Sequence, residues 1–203
     1  MRLLAMALRG AGISREAVAI TGMVLGILAG VSFMGTSEPF APSLFWSLGL
    51  GFCLLRIITT RIDNILEDQT ARQREEEVFF IELPERVSDA VTLIGFGFAM
   101  HASPWMGLAT ALAAIFSAYT RSIAVLRGVG REAAACGPMT RIHRLILVSS
   151  ASVIMLIEPL RAWFPTPVPQ LALWLIFFGC LVTIAMRWFR IPERQLARRR
   201  SGA

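Results

Sequence analysis

The sequence predicts an all-α, polytopic membrane protein with six transmembrane helices and a short N-terminal interfacial helix. Three observations carry this. Hydrophobic residues make up 55% of the 203, and mean hydropathy is +0.62, more apolar surface than a soluble domain of that size needs. Apolar stretches of ~17–20 residues recur, the length that spans the hydrocarbon core of a bilayer. The alternating apolar and polar residues of a membrane β-barrel are absent. The length fits a single domain covering 1–203.

The elements follow in order. Residues 1–12 are basic and amphipathic, which suits an interfacial helix better than a cleavable signal. The first span covers 17–34 and carries Gly22, Gly26 and Gly30 on one helix face, a spacing that lets membrane helices pack closely. The second covers 42–62 and meets Arg56 and Arg61 as it approaches water. An arginine at the bilayer centre costs ~2.5–3.5 kcal/mol on insertion scales. Arg56 therefore belongs near a membrane face, or inside the bundle facing a phosphate. Residues 63–82 contain no Gly or Pro and continue the second helix before turning. Pro84 suits the first turn of the next helix. The remaining spans are 85–101, 104–126, 145–157 and 170–186, with a basic tail after the last.

Charge orients the bundle. All twenty basic residues are arginine, and the net charge is +6. With six spans, nineteen of the twenty lie on one side and only Arg161 on the other. The positive-inside rule then puts both termini in the cytoplasm of a bacterial-type inner membrane. Arginines placed at segment ends read as topology signals, and no nucleic-acid partner is expected. Cys53, Cys136 and Cys180 have neither metal nor redox spacing. Two of them lie inside apolar segments as packing residues.

The chemistry concentrates between Asp63 and Asp89, which hold nine of the fourteen acidic residues between two apolar segments. Asp63 ends the second helix. Glu85 and Asp89, four residues apart, share a face of the third. Carboxylates so arranged on two helices can hold one or two divalent cations, which clamp a diphosphate. Nearby arginines would take the remaining phosphate charge. A salt-bridge network of these carboxylates with Arg56, Arg61 and Arg86 is the structural alternative. Glu75, Glu76 and Glu77 suit a solvated helix face, and His143 an interfacial position. His101 is given no role.

Several stretches resemble the CDP-alcohol phosphatidyltransferase family, six-helix membrane enzymes with the pattern Asp-x-x-Asp-Gly-x-x-Ala-Arg, eight residues, Gly-x-x-x-Asp-x-x-x-Asp. The run from Pro84 to Ala90 is similar to the Pro-Asp-Arg-x-x-Asp that ends the pattern in many members. Tyr119-Thr120-Arg121 is similar to the Tyr-x-Arg of the fourth helix. Gly137 to Arg144 resembles a loop of one bacterial branch. Two registers are open. In the preferred one the four acidic positions fall on Thr60, Asp63, Ile81 and Glu85, with Asn64 at a glycine position. In the other they fall on Asn64, Glu67, Glu85 and Asp89.

The resemblance implies a homodimeric transferase of phospholipid synthesis. It would take a CDP-linked lipid or alcohol as donor, such as CDP-diacylglycerol, and an alcohol as acceptor. Glu85 would be the catalytic base. Asp63, Glu85 and Asp89 would hold Mg²⁺ or Mn²⁺, one ion rather than two because Thr60 and Ile81 lack carboxylates. Arg56, Thr60, Asn64, Arg121 and Arg141 would bind substrate phosphate. A family member that binds lipid or nucleotide without turnover is the alternative favoured by Thr60 and Ile81. A small transporter is a third reading, which calls for charges deep in several spans rather than gathered at one face.

Overall fold

A computed structural model describes the backbone over 15–69, 75–126, 136–157, 163–164 and 167–201. Side chains are described over 16–62, 82–125, 136–157, 163–164 and 167–189. The expected interfacial helix at 1–12 lies outside the described residues. Six helices are described: α1 (Arg15–Gly35), α2 (Pro42–Gln69), α3 (Glu75–Gly97), α4 (Pro104–Leu126), α5 (Arg141–Leu156) and α6 (Val168–Ser201). There is no strand among the described residues.

Four of the six are long and apolar enough to cross a membrane: α1, α2, α4 and α6. The other two differ for visible reasons. Helix α5 has 16 residues and opens on Arg141 and Arg144. Helix α3 begins at Glu75, ten residues before the expected third span, and carries Glu82, Glu85, Arg86 and Asp89. Pro84 sits inside α3 and not in its first turn. The helix-favouring run ahead of it extends the helix backwards, and the proline leaves the carbonyl one turn earlier without its usual donor. Helix α6 runs on through the basic tail to Ser201.

The packing turns polar groups inward and apolar groups outward. Ile20, Val24, Leu28 and Val31 form an exposed stripe on α1, as Leu108, Leu112 and Ile115 do on α4. Ser88, Thr92, Thr110, Ser117, Ser152 and Thr183 are buried. Lipid tails are as apolar as leucine, so association rests on close contact and interhelical hydrogen bonds. The glycines of α1 supply the contact. A Cβ on Gly26 would run into Ser88, and one on Gly30 would come within 2.5 Å of the Val91 carbonyl. The freed space admits hydrogen bonds from Ser88 Oγ to the Gly22 carbonyl and from Thr92 Oγ1 to the Gly26 carbonyl, each 3.0 Å.

The opposite end of the bundle is closed by aromatic packing and two turns. Phe33, Trp46 and Phe96 pack tilted or edge to face, with centroids 5.1–6.0 Å apart. Thr36 Oγ1 accepts from the Met100 amide at 2.9 Å, and Ser37 Oγ donates to the Phe98 carbonyl at 2.7 Å. These bonds tie the turn after α1 to the turn after α3. His101 occupies that second turn with φ of 65°, a left-handed position that explains its place without any chemistry.

Replacing Gly30 by leucine forces the α1–α3 backbones apart. Thermal unfolding in detergent should show a loss of about 1–3 kcal/mol or more, the usual cost of overpacking. Gly51, with nothing within 4 Å of its Cβ position, should accept alanine without loss in the same assay.

Candidate functional site

The described charges converge where α2 and α5 meet α3. Arg56 of α2 is fully buried, and its guanidinium donates to Asp89 Oδ1 of α3 at 2.5 Å. A second, longer bond reaches Thr92 Oγ1 at 3.4 Å. From α5, Arg144 donates to the other oxygen of Asp89, and Arg141 places its Nε 3.4 Å from Oδ1. Arg141 also pairs with Glu85 Oε1, one turn before Asp89. Asp89 thus meets three guanidinium groups from two helices.

The start of α5 is held so that these arginines point inward. Gly137 has φ of +128°, and a Cβ there would strike Thr183 of α6. Thr183 Oγ1 accepts from the Met139 amide at 3.0 Å. Arg187, one turn further along α6, donates to the Cys136 carbonyl at 2.9 Å and to the Ser117 carbonyl and hydroxyl of α4. Thr140 precedes α5 in extended conformation. His143 closes the cap: its Nδ1 lies 3.4 Å from the Thr140 amide and 2.8 Å from the Thr140 hydroxyl. Its role is structural.

The residues singled out in the sequence separate into three groups. Arg56, Glu85, Asp89 and Arg141 come together. Thr60 stands one turn beyond Arg56 on α2, buried, with no partner for its hydroxyl. Asp63 and Asn64 follow on α2, and their side chains lie outside the described residues, as do those of Glu67 and Ile81. Arg121 is exposed on α4, one turn past Ser117. Of the arginines weighed for a structural network, only Arg56 reaches Asp89. Arg86 pairs instead with Glu82 at 3.5 Å, and Arg61 is exposed.

Arg144 and Arg187 were missed as site residues. Arg144 was visible three residues after Arg141, on the same face of a helix start. Arg187 was visible as the charge closing a strongly apolar segment, where only a polar interior would hold it.

The described donors do not by themselves make up a two-ion metal centre. Such a centre needs carboxylates from facing helices. Among the described residues no group of three His, Cys, Asp or Glu side chains lies together. Both oxygens of Asp89 already accept from arginine, Glu85 pairs with Arg141, and Thr60 offers a neutral hydroxyl. An excess of guanidinium groups at a helix-bundle end suits anions, phosphate above all.

No protein-family model matches the sequence, and no curated protein matches it significantly. Among solved structures, the chain has the fold of the phosphatidylinositol phosphate synthase of Mycobacterium tuberculosis. The form with manganese and citrate superposes with a TM-score of 0.68 at 16% identity, over 93% of this chain and 87% of that one. The form with CDP-DAG bound gives 0.67 at 14% identity, over 94% and 92%. The apo form gives 0.63 at 15% identity, over 93% and 94%. At these identities the likeness establishes a common fold.

Replacing Asp89 by leucine strands Arg56 as a buried charge without a partner. Stability in detergent should fall by about 3–5 kcal/mol. The double variant Asp89→Leu with Arg56→Met should recover part of that loss, since Arg144 still lacks its carboxylate, and a double-mutant cycle reads the Arg56–Asp89 coupling directly.

Proposed function

We propose that the protein is a CDP-alcohol phosphatidyltransferase of phospholipid synthesis. It would transfer a substituted phosphate from a CDP-linked lipid to an alcohol and release CMP. One observation carries this reading: a synthase fold over nearly the whole chain, with Glu85, Arg141, Arg56 and Arg144 gathered at one end. The M. tuberculosis synthase of that fold has been solved with CDP-DAG bound. This supports a CDP-linked lipid as donor here.

The reaction follows from those groups. The donor diphosphate lies against the arginine cluster, with Thr60 and Arg56 on the α2 side and Arg141 on the α5 side. Asn64 and Arg121 stand at the margins of the same end. Glu85 takes the proton of the acceptor hydroxyl, whose oxygen attacks the β-phosphorus of the donor. The bond to the α-phosphate oxygen breaks and CMP departs with that oxygen. General-base assistance of this kind is worth ~10²–10⁴-fold. The synthase of this fold has been solved with manganese, and the Mg²⁺ or Mn²⁺ that the resemblance implies would draw on Asp63 and Glu85. No step above runs through it.

The same reading puts all six helices in a bacterial-type cytoplasmic membrane, with α3 and α5 as more polar interior spans. Their charged ends, both termini and the active site face the cytoplasm. One domain covers 1–203, and two copies pair as a homodimer.

A second reading is favoured by a specific observation. Each described carboxylate of the site is already engaged by arginine, and Thr60 stands at the first acidic position of the preferred register. That is the arrangement of a member that binds a CDP-linked ligand without turning it over.

CMP release from CDP-diacylglycerol by the purified protein, against a panel of alcohols and with or without Mg²⁺ or Mn²⁺, separates the two. Turnover is expected, falling about 100-fold or more in Glu85→Gln. Binding of CDP with no turnover on any acceptor would establish the second reading.

A further inference from the structure

We infer that Arg56 Nε and Thr60 Oγ1 form a two-donor subsite for a phosphoryl oxygen, that of the β-phosphate of a CDP-linked ligand. This rests on the preceding section in taking that ligand class and in placing the attacked phosphorus beside Glu85.

Two buried donors on α2 are unmet. Arg56 is fully buried and Thr60 is 6% exposed. Arg56 gives Nη2 to Asp89 and Nη1 to Thr92, and its Nε has no acceptor. The Thr60 hydroxyl has no partner either. Residues four apart share a helix face, so both stand on the side of α2 that looks toward Asp89. Buried polar groups are satisfied in the great majority of cases, and a pair left over on one face points to an acceptor supplied by a ligand. An Nε–H only donates, so whatever serves both groups carries lone pairs. A phosphoryl oxygen does, and its charge strengthens both bonds.

The local sequence explains why Thr60 is left over. The hydroxyls of Thr21, Ser32, Ser47, Thr110, Ser152 and Thr183 each donate to the carbonyl four residues back in their own helix. That outlet is closed to Thr60. The carbonyl four residues back belongs to Arg56 and already accepts from Thr59 Oγ1 at 2.9 Å, besides its helical amide. The neighbouring threonine keeps the Thr60 hydroxyl free. Ser149 of α5 is also unpartnered, but Leu145 and Val153 flank it one turn away and bring no charge to an anion.

Room and position agree. Helices α2 and α3 each pack on α1 rather than on each other. Arg56 crosses the space between them to reach Asp89. Helix α2 starts at the end of the bundle where α3 finishes, so the two run in opposite directions. One turn on from Arg56 along α2 then corresponds to one turn back from Asp89 along α3, the position of Glu85. Thr60 stands across that space at the height of the proposed base, where the attacked phosphate belongs.

The test is calorimetric titration of CDP and CMP into the full-length protein in detergent with Mg²⁺, for wild type, Thr60→Val and Thr60→Ser. The valine keeps the shape and removes the donor. Thr60→Val should bind CDP about tenfold or more weakly, as for a lost hydrogen bond to a charged group. Its CMP affinity should change by less than about twofold, because the second phosphate is the one read, and Thr60→Ser should keep CDP binding. Without ligand Thr60→Val should melt no lower than wild type, since the hydroxyl it loses bonds to nothing there. With saturating CDP the wild type should melt higher. Unchanged CDP affinity in Thr60→Val, or an equal loss for CDP and CMP, overturns the proposal and leaves the transferase reading standing. A lower melting point without ligand makes the hydroxyl structural and also overturns it. Binding that excess Mg²⁺ or Mn²⁺ restores to Thr60→Val assigns the hydroxyl to a metal ion instead and overturns it as well. No CDP binding by the wild type overturns both.

Discussion

A fully buried arginine on α2 has to find a counter-charge, and the bundle is arranged around the one it finds. Arg56 and Asp89 are both withdrawn from water, where the desolvation of each ion costs several kcal/mol. Their attraction repays this only if the remaining lone pairs and protons are satisfied as well. Asp89 has two oxygens, and one guanidinium satisfies one of them. Arg144 takes the second oxygen, and Arg141 approaches from the side and reaches back to Glu85. The buried pair therefore requires the start of α5 to sit where it does. That in turn requires the turn at Gly137 and its clamp by Thr183 and Arg187 of α6.

The glycine stripe of α1 belongs to the same chain of dependence. Asp89 is flanked on α3 by Ser88 and, one turn from it, Thr92. Both send their hydroxyls to α1 carbonyls that only glycine neighbours leave within reach. Thr92 then lies between α1 and Arg56. Helix α3 is thus tied to α1 through hydroxyls and to α2 and α5 through charge. A helix with four charged residues near the middle of its length tolerates that interior because every neighbour meets it with a polar group. Its low hydropathy is a consequence of its central place.

Much of this was legible before the structure. Apolar length and proline or glycine punctuation marked every helix, and α4 begins and ends at the expected residues. The glycine stripe announced close packing, and the position of Arg56 announced either an interface or a buried phosphate-facing charge. The partners were the illegible part. Proximity along the chain suggested Arg61 and Arg86 as companions of the acidic cluster. Arg56 does pair with Asp89, but the other companions came from α5, more than fifty residues away, because the fold sets the start of α5 within arginine reach of α3. Pro84 misled for a related reason. Its local preference for a first turn yields to a run of helix formers ahead of it, and one lost hydrogen bond is affordable in a helix held from three sides.

The departures from the acidic pattern then have a common physical sense. In the preferred register Thr60 and Ile81 stand where carboxylates are usual. Losing two negative groups from an arginine-rich end shifts its balance toward positive charge by two units. Asp89 and Glu85 survive because they serve a second purpose. They neutralise part of the mutual repulsion of three crowded guanidinium groups and fix their planes. A carboxylate retained for that purpose is indistinguishable in sequence from a metal ligand. What separates the two is the partner of each oxygen, and at Asp89 every one is arginine.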